Sequence, residues 1–136
     1  MILVVDTNRI IAALVKDSVS RKIIYSDKFL LLAPSFAKTE LEDNKSDILK
    51  KTELTKDAFD NLMALILNSL YVVDDSILKY KFEEAKQIMD KIDLNDTSFI
   101  ALALALENDG IWSDDNDFQR QKTIKIWKTK DLIQYL

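Results

Sequence analysis

The 136-residue sequence has no cysteine and no histidine, and it contains one glycine and one proline. Without cysteine there are no disulfides, thiolate metal ligands or catalytic thiols. Without histidine, Ser-His-Asp and Cys-His nucleophile systems are excluded, and so is imidazole-ligated zinc. Any metal must therefore be held by oxygen, which favours Mg²⁺, Mn²⁺ or Ca²⁺. A single glycine excludes the glycine-rich phosphate loops of P-loop and dinucleotide-binding proteins. No apolar run approaches the roughly 20 residues of a membrane span, and the opening MILVVD is too short and too uncharged for a signal peptide. A cytoplasmic protein with no membrane association is expected. Scarce glycine and proline also leave no linker, so a single domain over residues 1–136 is expected. A chain of this length buries about two thirds of its unfolded surface.

What is present alternates between short apolar runs and amphipathic stretches. Ile2–Val5 is a continuous, mostly β-branched run, as expected of a central strand covered on both faces. It ends at Asp6, and Thr7 is placed to cap a helix carrying Ile10, Ile11, Leu14 and Val15 on one side. Ser18 or Ser20 opens a second helix. A second strand covers residues 29–33 and ends at Pro34, after which Ser35 caps a helix with Phe36, Ala37 and Leu41 at apolar positions, and Ile48 and Leu49 continue it after a polar interval. Residues 55–68 have a strong helical period with Thr55 as cap. Residues 70–73 read as a third strand, 76–89 as a helix, 123–127 as a last strand, and 130–136 as a C-terminal helix capped by Thr129. Strand followed by helix, repeated, means an α/β fold with a mainly parallel central sheet flanked by helices.

The chain is organised around residues 92–119. This stretch holds seven acidic residues (Asp93, Asp96, Glu107, Asp109, Asp114, Asp115, Asp117) and no lysine or arginine. Between the acids runs FIALALAL, apolar all round and hence enclosed by protein. Asn95 or Asp93 can cap its start, and Gly110 stands where a helix end favours a left-handed residue. Ile111-Trp112 reads as a short strand running into Ser113-Asp114-Asp115, with Asp114 alternating away from Asp115 toward solvent. Asp6, Asp96 and Asp115 each fall at an element end on one edge of the sheet. Glu40 lies on a helix that a right-handed crossover starts at that edge. Two unit charges about 4 Å apart repel by roughly 4 kcal/mol at an effective dielectric near 20, so four converging carboxylates call for a divalent cation. Oxygen-held cations of this kind serve phosphoryl-transfer chemistry. Ser113 can hydrogen-bond a ligand carboxylate, and Asp117 is a fifth acid or the cap of the next turn. Individually these residues have plainer readings: Asp6 as a helix-start acid, Glu40 as a solvated carboxylate, Ser113 as a turn serine.

VVDTN, AKTELE around Glu40, NDTSFIALALA and IWSDDNDF together resemble, in order and spacing, the PIN-domain ribonucleases, which include the toxin subunits of toxin–antitoxin pairs. The resemblance implies that Asp6, Glu40, Asp96 and Asp115 bind Mg²⁺ or Mn²⁺ and that RNA is cleaved by metal-activated water. It places Ser113 and Asn8 at supporting positions and Asp93 and Asp117 as extra acids. It further implies an antitoxin partner and a homodimer, and the amphipathic surface of residues 55–68 and 76–89 agrees with self-association.

One departure is charge. The chain carries a net −4, whereas many small toxins of this type are basic around the site. Arg9 and the segment from Arg120 through Lys122 to Lys130, with five basic residues and no acid, are the candidates for RNA phosphate contacts; ordinary solvation is the alternative. Two other functions compete: a non-catalytic RNA-binding or assembly module, and an aspartyl-phosphate domain using Asp6. The latter expects a second aspartate where this chain has Asn8.

Overall fold

The apolar run Ile2–Val5 forms β1, and Leu3, Val4 and Val5 are wholly buried. In the computed structural model, which describes residues 1–16 and 18–136, β1 is the middle of a five-stranded sheet in the order β3-β2-β1-β4-β5. The other strands are β2 (Leu30–Pro34), β3 (Tyr71–Val73), β4 (Ile111–Trp112) and β5 (Ile126–Trp127). Every pairing is parallel, with Val4 opposite Leu32, Val5 opposite Trp112, Pro34 opposite Val73 and Trp112 opposite Trp127. The α/β class expected from sequence is thus present, and the sheet is parallel throughout.

Helices α1 (Thr7–Val15) and α2 (Val19–Tyr25) join β1 to β2. The β2–β3 connection holds α3 (Ser35–Asp43), α4 (Lys45–Lys50) and α5 (Lys56–Asn68). From β3 the chain returns through α6 (Asp75–Leu78), a 3-10 turn (Lys79–Lys81), α7 (Phe82–Met89), a second 3-10 turn (Leu94–Asp96) and α8 (Thr97–Ala105). The short α9 (Asn116–Gln119) joins β4 to β5, and α10 (Thr129–Leu132) with a 3-10 turn (Ile133–Tyr135) completes the chain. One helical group forms around α1, against α2, α3, α4 and α5. The other forms around α8, against α6, α7, β1 and β2. No helix among the described residues is long and apolar enough to cross a membrane.

Several expected boundaries are corrected. Asp6, not Thr7, caps α1, accepting from the Asn8 backbone N–H. The helix expected from Ser35 to Leu49 breaks at Asn44, and the one expected over 76–89 is interrupted by the 3-10 turn at 79–81. The last strand is confined to Ile126–Trp127, because Gln121 bonds both Ile124 N–H and its carbonyl and holds that segment as a turn. Gly110 is not a helix cap. Leu106, in an extended conformation, ends α8, and the Asn108 amide donates to the carbonyls of Ala103 and Leu106. Gly110 precedes β4 at φ +131, where a Cβ would lie 2.4 Å from the Lys125 carbonyl oxygen.

Two features of this fold position a site. From β1 the chain proceeds outward to β2 and β3, then returns to the other side of β1 as β4. That reversal opens a ligand-binding position at the carboxyl ends of β1 and β4. In addition, Phe99 of α8 stacks edge-on to Phe36 of α3 and Phe118 of α9, with ring centroids at 6.5 and 6.3 Å. Pairs of this kind contribute about 0.5–1.5 kcal/mol each. They join the helix that carries Glu40, the helix after Asp96 and the helix after Asp115.

Candidate metal centre

Asp6 follows directly on β1 and is 4 % exposed. Its Oδ2 accepts from Ser113 Oγ at 2.8 Å, and its Oδ1 from the Asn8 N–H at 3.4 Å. Ser113, wholly buried at the end of β4, accepts in turn from the Asp115 N–H at 3.0 Å. Asp115 caps α9, its Oδ1 accepting from the Asp117 N–H at 2.9 Å. Glu40 reaches the same edge from α3, where Thr7 Oγ1 donates to its Oε1 at 2.8 Å. Asp93 caps the 3-10 turn that ends at Asp96, accepting from the Asn95 N–H at 2.9 Å.

Asp96 has no such support. It stands at the start of α8 without making a side-chain cap bond, and its Oδ2 is buried with no hydrogen-bond partner. Desolvation pushes its carboxyl up to about 7, with Asp93, Asp6, Asp115 and Glu40 each adding to the shift. Desolvation likewise raises Asp6, against the hydrogen bonds from Ser113 and Asn8. Burial raises Glu40 too, although the Thr7 hydrogen bond works the other way. Burial is the first cause for all three carboxyls and neighbouring acids add to it, so the site holds charge that the surrounding protein does not compensate.

The tightest donor set is Asp93, Asp96 and Asp117, which offer one oxygen each, all within 4.8 Å of one another. Among the described residues this is the only group of three that does so. Asp6, Glu40, Asp96 and Asp115 influence one another electrostatically but are more widely spread. Asp96 belongs to both sets. All donors are carboxylate oxygens and one buried oxygen lacks any partner, so the residues present fit a hard divalent cation.

The other expected residues fall differently. Asn8 is exposed, and it is its backbone that reaches Asp6. Arg9 is paired with Asp114, with Nη1 to Oδ2 at 2.7 Å. Asp114 is correspondingly not a freely solvated acid: it also accepts from the backbone and hydroxyl of Thr129. Arg120 is exposed, 3.8 Å from Asp117, and donates to the Lys91 carbonyl at 3.4 Å. Lys122 is exposed and reaches only the Gln119 carbonyl at 3.3 Å.

Sequence reading missed Asp75, which accepts from Ser98 Oγ and the Phe36 N–H while its own N–H donates to Ser35 Oγ. It thereby ties the start of α3 to the first turn of α8. The only cue was Ser98 itself, a polar residue beginning an otherwise apolar helix.

Among curated proteins none matches the chain. The family described as PIN domain matches residues 4–136. With the parallel sheet, the carboxyl-edge acids and a match over nearly its whole length, the chain belongs to the PIN domain family.

Proposed function

We propose that the protein is a Mg²⁺- or Mn²⁺-dependent ribonuclease whose cation is held by Asp6, Glu40, Asp96 and Asp115, with Asp93 and Asp117 completing the acidic surface. The observation that carries this reading is Asp96: a buried carboxylate oxygen without a partner, in a group raised to about 7 among four other acids. PIN domains are generally nucleases, which supports the reaction class. When bound, the cation supplies Lewis acidity, activating water and offsetting charge on the phosphate.

The protein's own residues set the conditions for this. Ser113 donates to Asp6 and favours its ionised form. Thr7 fixes the direction of Glu40, and the Asp117 N–H fixes that of Asp115. Arg120 and Lys122, exposed beside Asp117 and α9, are available for RNA phosphates. The toxin role with a separate antitoxin is the more specific form of the proposal and rests on the motif resemblance. A homodimer is supported by the exposed apolar side chains Leu65, Tyr71, Ile77 and Tyr80.

The test is incubation of the protein with a panel of single-stranded and structured RNAs in Mn²⁺, against an EDTA control. The expected result is cleavage that EDTA abolishes and Asp6→Asn removes. Cleavage that survives EDTA would overturn the proposal, and RNA binding without cleavage across the panel would favour a non-catalytic module.

A further inference from the structure

We infer that Arg9, Asp114 and Thr129 form a positioning clamp that holds the Ser113–Asp115 segment, and with it the Asp115 carboxylate, in register with Asp6; the inference rests on the metal-dependent reading above. Both oxygens of Asp114 are used. Oδ1 accepts from the Thr129 N–H at 2.8 Å. Oδ2 accepts from Thr129 Oγ1 at 2.7 Å and from Arg9 Nη1 at 2.7 Å. Thr129 Oγ1, having given its one proton to Asp114, accepts from Trp112 Nε1 at 3.0 Å and from Arg9 Nη1 at 3.4 Å. The donors and acceptors that meet in this group match without conflict, and Arg9 Nε alone is buried without a partner.

The clamp joins three parts of the chain: the first turn of α1, the end of β4 and the start of α10. Asp114 sits between Ser113, which donates to Asp6, and Asp115, whose N–H returns to Ser113. Arg9 is three residues from Asp6 on the same helix start. Asp6 and the Ser113–Asp115 segment are thus tied twice, once through the serine and once through the ion pair. The second tie matters because β4 has only two residues, with few backbone bonds of its own to aim the loop that follows.

The pair contributes little to stability as such. Its side chains are 20 % and 35 % exposed, so water screens the attraction and side-chain entropy opposes it. Its consequence lies in geometry. Partners that orient the groups holding a metal typically change affinity or activity by about 10–100-fold when removed.

The experiment measures Mn²⁺ affinity by calorimetry, and kcat and KM for RNA cleavage, in the full chain and its variants. Asp114→Ala and Thr129→Val are expected to weaken Mn²⁺ binding by about 10-fold and to lower kcat while leaving KM for RNA unchanged. Thr129→Ser, which keeps the hydroxyl, is expected to restore wild-type affinity. Asp60→Asn, which breaks the remote Lys45–Asp60 pair, is expected to leave Mn²⁺ affinity unchanged, separating loss of an ion pair from loss of this one. Wild-type affinity and kcat in Asp114→Ala would overturn the inference. Should Asp114→Ala fail to fold, the contrast between Thr129→Val and Thr129→Ser decides, and equal affinities for those two overturn it. A wild-type protein that takes up no Mn²⁺ would instead overturn the metal reading itself, and the clamp's role with it.

Discussion

The two ends of the sheet treat polar groups in opposite ways. At the amino end, Asp109 exchanges bonds with Ile2: its N–H donates to the Ile2 carbonyl at 2.7 Å and its Oδ2 accepts from the Ile2 N–H at 2.8 Å. Its carbonyl accepts from Trp127 Nε1, and the neighbouring Asn108 uses both its amide and its oxygen on the backbone. At the carboxyl end, acids crowd one another and Asp96 keeps an oxygen with no partner. Asp109 is exposed and Asn108 half-buried, and both are bonded to the backbone, whereas the buried Asp96 oxygen loses its hydration without return. The amino end is therefore built for the fold. The carboxyl end is tolerated by the fold, and the proposed cation would complete it.

The largest effect that would break this contrast is expected for Asp96→Asn. Cleavage is expected to fall by at least about 100-fold, the upper range seen even for residues that only orient a metal ligand. Stability should move the other way. The Asp96 carboxyl is raised to about 7, so the folded protein holds its proton more tightly than the unfolded chain does. This group's contribution is most favourable in acid, declines as pH rises from the ordinary aspartate range through about 7, and is fully unfavourable above that. Without metal, the variant is therefore expected to be at least as stable as wild type in urea denaturation at pH 8, with its advantage shrinking at pH 5. A variant less stable at pH 8 would place Asp96 among the structural acids.

Gly110→Ala is the converse test. The new Cβ meets the Lys125 carbonyl at 2.4 Å on a backbone at φ +131, a conformation that costs of order 1–3 kcal/mol for other residues. Urea denaturation should show a loss of about 3 kcal/mol, while Mn²⁺ affinity of the folded protein is unchanged. Altered affinity would mean that the two ends are coupled.

A smaller effect sharpens the carboxyl end alone. Since a proton on Asp96 competes with the cation, Mn²⁺ affinity is expected to fall about tenfold per pH unit below 7 and to level off above it. Raised Asp6 and Glu40 act in the same direction. Calorimetry from pH 5.5 to 8.5 checks this, and a flat profile would remove Asp96 from the ligand set. The smallest effect concerns substrate. Replacing Arg120 and Lys122 together by alanine is expected to reduce the salt slope of RNA binding by about 1.4, from about 0.7 per phosphate contact on single strands. An unchanged slope would leave these side chains merely solvated.

Much of the fold was legible in the residues. ILVV followed by Asp6, and Ile111-Trp112 followed by Ser113, mark strands whose carboxyl ends bear polar groups. FIALALAL marks a buried helix, and all seven residues from Thr97 to Ala103 are buried, but Leu104 and Ala105 are only half-buried and Leu106, past the helix end, is exposed. Helix interruptions were harder to see. The break at Asn44 falls in the polar interval between Leu41 and Ile48, its only cue, and the 3-10 turn at Lys79–Lys81 contains neither glycine nor proline to announce it.

The sequence by itself determined the chemistry available to this protein: with no histidine and no cysteine, a metal can meet only oxygen, and alternating apolar periods encode elements within about ten residues of chain. Tertiary structure alone decided which side chains meet. Arg9 looked free for phosphate and is instead bound to Asp114, and Asp114 looked solvated and is instead the hub of a junction. Asp93, Asp96 and Asp117 form the tightest donor set, and Ser113 reaches Asp6 across 107 positions of sequence. Periodicity and capping are local and repeat along the chain. A hydrogen bond between distant side chains leaves no such pattern, because its direction is set only when the sheet brings the strand ends together.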